Sequence, residues 1–245
     1  MFQRIFFSAI AAGLLAGVFI SVVQSVTTTP VILHAEEFEG GGRHHGSITP
    51  LDPGLQPALF SGSPVARLYQ VAESAHPADF WSPNDGLERA LFTTLANIVV
   101  GVGFALIIVA GLVISHTRVT VGTGVLWGAA GFVVFTLAPG LGLPPEVPGA
   151  LTAELSARQL WWAFAVAGAA IGLGLLVFAG RLPVKVLGAV VMVVPHVVGA
   201  PQPGSIGGSV PPEIAGQFVA ASIVVSAIFW VTLGGLSATL YRRLG

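Results

Sequence analysis

Residues 90–117 read ALFTTLANIVVGVGFALIIVAGLVISHT, a run of 28 residues with no charged side chain. A helix rises about 1.5 Å per residue, so the run exceeds the roughly 20 residues that cross a hydrocarbon layer of about 30 Å. It reads as a transmembrane helix, and the pattern recurs. Six stretches lack charge: 5–33, 90–117, 119–145, 159–180, 186–212 and 214–241. They predict spans near 5–28, 91–114, 120–138, 160–180, 182–199 and 216–240. The fifth is short, opens at Pro183 and carries Pro195. The alternative is therefore five spans plus a re-entrant segment.

Composition agrees with an all-α, polytopic membrane protein. Of 245 residues only 10 are Lys or Arg and 11 are Asp or Glu, which makes 9% charged, against about 25% in soluble chains. Apolar residues make up 54% and mean hydropathy is +0.86. The expected organisation is one transmembrane domain, 1–245, interrupted by an extracytoplasmic loop over 34–89. Several function classes fall away. The chain has no cysteine, which removes disulfides, thiolate metal ligands and thiol nucleophiles. Any metal must be held by oxygen and imidazole. A net charge of −1 gives no basic face for nucleic acid. There is no phosphate-binding Gly-x-x-x-x-Gly-Lys-Ser/Thr loop, so the chain is not its own ATPase. Spans without Asp, Glu, Cys or paired His offer no catalytic pair, so neither an enzyme nor a resident cofactor is expected.

The charges sort by side. With six spans both termini share a face, and the segments on that face hold Arg4, Arg118, Arg181, Lys185, Arg242 and Arg243 and no acid. The opposite segments hold all 11 acids with Arg43, Arg67, Arg89 and Arg158, a net charge of −7. By the positive-inside rule the termini are cytoplasmic and the acidic face is outside.

Small residues punctuate the spans: Gly13-x-x-x-Gly17, Gly101 with Gly103, Gly124-x-x-x-Gly128, Gly168-x-x-x-Gly172 and Gly234 with Gly235. In lipid such residues mark close helix contacts. Trp161 and Trp162 open the fourth span from outside, where indoles anchor at the headgroup level.

The outer loop collects the ligand types that suit divalent first-row metals, carboxylate and neutral imidazole. These are His34, Glu36, Glu37 and Glu39 at the exit of the first span, then His44, His45, Glu73, His76 and Asp79. His196 stands inside an apolar span, and an intramembrane ionisable group is by default a candidate functional residue. Counting 14 residues from Leu182 puts it about 21 Å from the inner surface. Gln24, Asn97, Thr136 and Ser222 fall at comparable depth and complete a candidate polar path. The expected metal ligands are His196, His34, Glu36, Glu39 and His76.

Four motifs in order resemble a known family. They are Pro30-Val-Ile-Leu-x-Ala-Glu36-Glu-x-Glu39, Leu141-Gly-Leu-Pro-Pro-Glu-Val-Pro-Gly149, Arg158-Gln-Leu-Trp-Trp162 and Pro195-His-Val-Val-Gly-Ala-Pro-Gln-Pro203. They look like the motifs of CbtA, the membrane subunit family of a predicted prokaryotic cobalt transporter, and the likeness covers nearly the whole chain. The resemblance implies Co2+ uptake across the inner membrane feeding cobalamin synthesis. It also implies a small single-span partner, CbtB, that carries a histidine motif. Accounts of the family give five spans, where the charge count gives six. Permeases for nickel or zinc would draw on the same ligand types, and a scaffold subunit that transports nothing is the remaining alternative.

Overall fold

The computed structural model describes residues 2–41, 83–116, 118–204 and 207–244. Among them the structure is helical: α1 (Phe2–Val26), α2 (Thr28–Gly41), α3 (Leu87–Ile114), α4 (Val121–Phe132), α5 (Leu155–Phe178), α6 (Leu182–Val198) and α7 (Pro212–Arg243). α4 runs on through a π-helical turn, Val133–Leu137, to a last turn at Ala138–Gly140. Pro139 has no N–H to return to the carbonyl four residues back, and the helix widens just before it. Five helices, α4 being counted to Gly140, are long and apolar enough to cross a membrane, and α6 is a shorter apolar helix of 17 residues.

Local chemistry sets the helix ends. Thr120 and Thr123 cap α4 reciprocally, each side chain taking the other's backbone N–H, which satisfies donors that the first turn leaves orphaned. At α5 the Glu154 carboxylate accepts from the backbone N–H groups of Ser156 and Ala157. The Ser156 hydroxyl, then these amides, hold that carboxyl below its usual range. α7 opens with Pro212 at its first position, where the missing N–H costs nothing.

One expectation fails at the outer loop. Irregular chain was expected from His34, yet α2 runs to Gly41 and α3 begins at Leu87, before residue 91. Val31 and Ala35, one helical turn apart, are buried with Val147 and Ile214, and Phe38 packs against them. Tertiary burial of that stripe stabilises a helix that the charged local sequence did not announce.

Two contacts show how the helix ends are arranged. Arg4 Nε donates to the Tyr241 carbonyl at 2.6 Å, and the Arg4 guanidinium lies 4.0 Å from the centre of the Tyr241 ring, so both termini sit at one end of the bundle. An even number of crossings is then required. At the other end Ala150 bridges Gly208, and Leu151 N–H donates to the Gly207 carbonyl at 3.3 Å. The chain leaving α6 therefore returns to the end where α5 began. α6 traverses the bundle as α5 does, and its 17 residues give about 25 Å. Both contacts are compatible with the six expected spans.

Glycines make the helix contacts. A Cβ on Gly17 would lie 2.6 Å from the Ile98 Cα, and one on Gly101 would lie 2.9 Å from the Gly13 carbonyl oxygen, so α1 and α3 pack backbone to backbone. Gly124 and Gly128 meet Gly234 and the Trp230 backbone where α4 crosses α7, and Gly168 and Gly172 meet α6 at Pro195, Met192 and Gly188. Gly103 faces open space and Gly235 is near only a Val125 methyl, so these two carry no close contact. Around the α4–α7 crossing Phe104, Phe135 and Trp230 stack with centroids 4.5–5.6 Å apart. Trp161 is 6% exposed, so it is a packing residue and not the expected interfacial anchor. Trp162 is 41% exposed, as an anchor would be.

Gly128→Ala, whose new methyl would collide with the Trp230 carbonyl, is expected to cost about 1–3 kcal/mol. Gly103→Ala should leave stability unchanged. Thermal unfolding of the two variants in detergent distinguishes them.

Candidate functional site

A cavity of about 750 Å³ opens among α1, α2, α3 and α7. Its wall carries a hydroxyl stripe from α1 into α2, Ser21, Ser25, Thr28 and Thr29, faced by Thr93 and Thr94 of α3 and by Ser222 and Ser226 of α7. Gln24 and Arg89 also line it. Helical spacing produces this arrangement, because residues three and four apart share a face. The stripe was legible in the sequence but was not singled out there.

Asn97, not itself in the lining, ties two wall residues of α1 to α3. Its Nδ2 donates to Ser21 Oγ at 2.9 Å and to Gln24 Oε1 at 2.6 Å, while Ser21 Oγ donates on to the Gly17 carbonyl at 2.8 Å. Ser25 and Thr94 hydroxyls bond to carbonyls of their own helices. The side-chain oxygens of Thr28, Thr29, Thr93, Ser222 and Ser226 have no hydrogen-bond partner among the described residues. They are free to face a polar occupant.

The head of the cavity is an ion pair. Arg89 grips Glu36 through both nitrogens of its fork, with Nη1 at 2.9 Å from Oε2 and Nη2 on Oε1. Nη1 also reaches Asp85 at 3.1 Å. The Arg89 and Glu36 side chains are 30% and 31% exposed, against 83% for Asp85. From Arg89 to Asn97 α3 descends about 12 Å. Arg89 was expected only to be one of four outer arginines; its pairing joins positions 53 apart and left no local trace.

The structure thus puts two of the four expected path residues, Gln24 and Ser222, on one cavity, with Asn97 hydrogen-bonded to Gln24. Thr136 lies elsewhere: its Oγ1 accepts from Trp230 Nε1 at 3.2 Å, and it borders a second cavity of about 660 Å³ beside the Glu146–Arg158 ion pair. His196 is half-buried on α6, its ring edge-on to Trp161 with centroids 5.9 Å apart, and it lines neither cavity. His34 is exposed and lies against the Phe38 ring at 5.6 Å. Two positions apart on one helix, His34 and Glu36 do not face each other. The Glu39 side chain and His76, with His44, His45, Glu73 and Asp79, lie outside the described residues. Among the described residues no group of three His, Asp or Glu stands close enough to hold a metal ion.

Apolar helices running end to end through a bundle, with hydroxyls on the wall of one cavity, define a multi-pass membrane protein. A family model described as "Probable cobalt transporter subunit (CbtA)" matches residues 2–242, and the chain belongs to that family. Comparison with curated proteins and with solved structures gives no match.

Asn97→Leu removes two interhelical donations and leaves Gln24 without its partner. At about 0.6 kcal/mol per bond in a membrane, the expected loss is about 1 kcal/mol. Denaturant unfolding in mixed micelles measures it.

Proposed function

We propose that this chain takes up Co2+ across the inner membrane of a prokaryote, supplying cobalamin synthesis, and that the ion passes through the cavity of α1, α2, α3 and α7. The observation that carries this reading is the set of unpartnered hydroxyls that line this cavity together with Gln24, whose amide oxygen accepts from Asn97. Neutral oxygens replace part of a cation's water shell without trapping it as a carboxylate cage would. Intramembrane polar groups characteristically line such paths. The acidic end supports the direction of transport. Glu36, Glu37, Asp85, Glu88, Glu146, Glu154 and Glu213 lie at or beyond the cavity end of the described helices, and every basic residue at the other end stands without an acid. Read with the positive-inside rule, the termini are cytoplasmic and the cavity opens outward.

No acid lies deep in a span, so a carboxylate proton relay is not needed by this reading. The membrane potential drives a divalent cation with about 4.6 kcal/mol per 100 mV, roughly a two-thousandfold accumulation. The small partner CbtB completes the transporter in this reading, with its histidines adding the imidazole ligands that the cavity lacks.

Because the chain has no cysteine, single cysteines report sidedness cleanly. Ser47→Cys is expected to react with an impermeant maleimide on intact cells, and Leu244→Cys only after lysis; the reverse pattern would invert the orientation.

Radioactive Co2+ uptake into vesicles holding this chain and its partner tests the path. Gln24→Ala and Ser222→Ala are expected to lower initial uptake about tenfold at equal protein level, if each removes a ligand worth about 1.4 kcal/mol. His196→Ala is expected to lower it much less. Uptake that falls with His196→Ala but with neither cavity variant would move the path to α6. Competition with Ni2+ and Zn2+ ranks the metals.

A further inference from the structure

The Glu36 carboxylate, among the described residues the expected metal ligand that contacts the cavity wall, is already occupied by a cation, the Arg89 fork. The same guanidinium has a second acid within reach, since Nη1 bonds to Glu36 at 2.9 Å and to Asp85 at 3.1 Å. The two acids differ in setting. Glu36 is 31% exposed beside the cavity wall and Asp85 is 83% exposed outside it. We propose that Arg89 is a tethered counter-ion. It holds Glu36 at the head of the cavity in the resting protein, and an arriving divalent cation takes Glu36 by displacing the guanidinium onto Asp85.

Charge makes this exchange selective. A monovalent cation arriving at Glu36 offers the carboxylate the same unit charge that Arg89 already supplies, without the two parallel hydrogen bonds of the fork. A divalent cation doubles the Coulomb attraction at the same distance. Arg89 loses little in the exchange because one of its N–H groups is on Asp85 from the start. The partly desolvated site therefore rejects Na+ and K+ while remaining open to a divalent ion. The fork is also what a lysine could not reproduce, having a single point charge.

The inference rests on the cation-path reading, but equilibrium binding tests it apart from transport. The full chain in nanodiscs is titrated with radioactive Co2+ in excess K+. Arg89→Gln is expected to bind Co2+ about fivefold tighter, the scale of one partly exposed ion pair, and this gain should vanish in the Glu36→Gln background. Affinity that is unchanged or weaker in Arg89→Gln overturns the proposal, as does a gain that persists without Glu36. Asp85→Asn lies outside the helices; it is expected to weaken binding in the wild-type chain and to have no effect in the Arg89→Gln chain. Equal weakening in both would show a general charge effect and also overturn it. If Arg89→Gln does not fold, Arg89→Lys should tighten binding about twofold through loss of the fork alone, and no tightening would count against the exchange. Should binding behave as expected while vesicles take up no Co2+, the transport reading fails and the counter-ion exchange stands.

Discussion

Lipid tails are as apolar as leucine, so helices in a bilayer gain little by hiding apolar surface and associate instead where their backbones can approach closely. In this chain the closest approach lies where Gly124 and Gly128 of α4 meet Gly234 and the Trp230 backbone of α7. α7 is the centre of the body: α1, α2, α3 and α4 all pack on it. Once α4 is seated, Trp230 is held among Phe104 and Phe135, and its indole N–H finds Thr136. The parallel contact of Gly13 and Gly17 with α3 brings Ser21 and Gln24 opposite Asn97. Close backbone packing at the α1–α3 glycine seam is thus what brings Gln24 and the hydroxyls of α1 beside those of α3 on one cavity.

A second unit is attached more lightly. α6 packs on α5, and α5 meets the body at the π-helical turn and the last turn of α4. The Ala150–Gly208 bridge and the seat of Trp161 against Gly142 join them at the loop end. His196 belongs to this unit. Its neighbour Trp161 buries an indole N–H with no partner, a cost that in lipid is offset only by close packing around it. The residue that looked most informative in the sequence therefore sits apart from the cavity, and the depth of a side chain in its own span was no guide to which helices surround it.

The ends of the bundle repeat this division. Glu36 and Arg89, 53 residues apart in sequence, close the head of the cavity, and Glu146 and Arg158 join α5 to the loop before it. At the opposite end Arg4 rests on Tyr241. Both pairs are neutral units already netted in the −7, so the field presented to an arriving cation comes from the acids outside them. Screening limits it further to about a Debye length of roughly 8 Å at physiological salt.

The apolar helices and the separation of acids from bases along the chain were determined by the sequence alone, because hydrocarbon thickness and the cost of burying charge act on each segment independently of its neighbours. Predicted bounds such as 91–114 and 182–199 fall within a few residues of Leu87–Ile114 and Leu182–Val198. The glycine seams were legible for the same reason, as small residues recur at helical spacing. Only the tertiary structure decided what depends on which faces meet: α2 as a helix, Trp161 as packing, the capture of Glu36 by Arg89, and the division of Gln24, Asn97 and Ser222 from Thr136 and His196. A hydropathy pattern gives each helix a depth but leaves its rotation and its neighbours open, and it is rotation and neighbours that make a cavity.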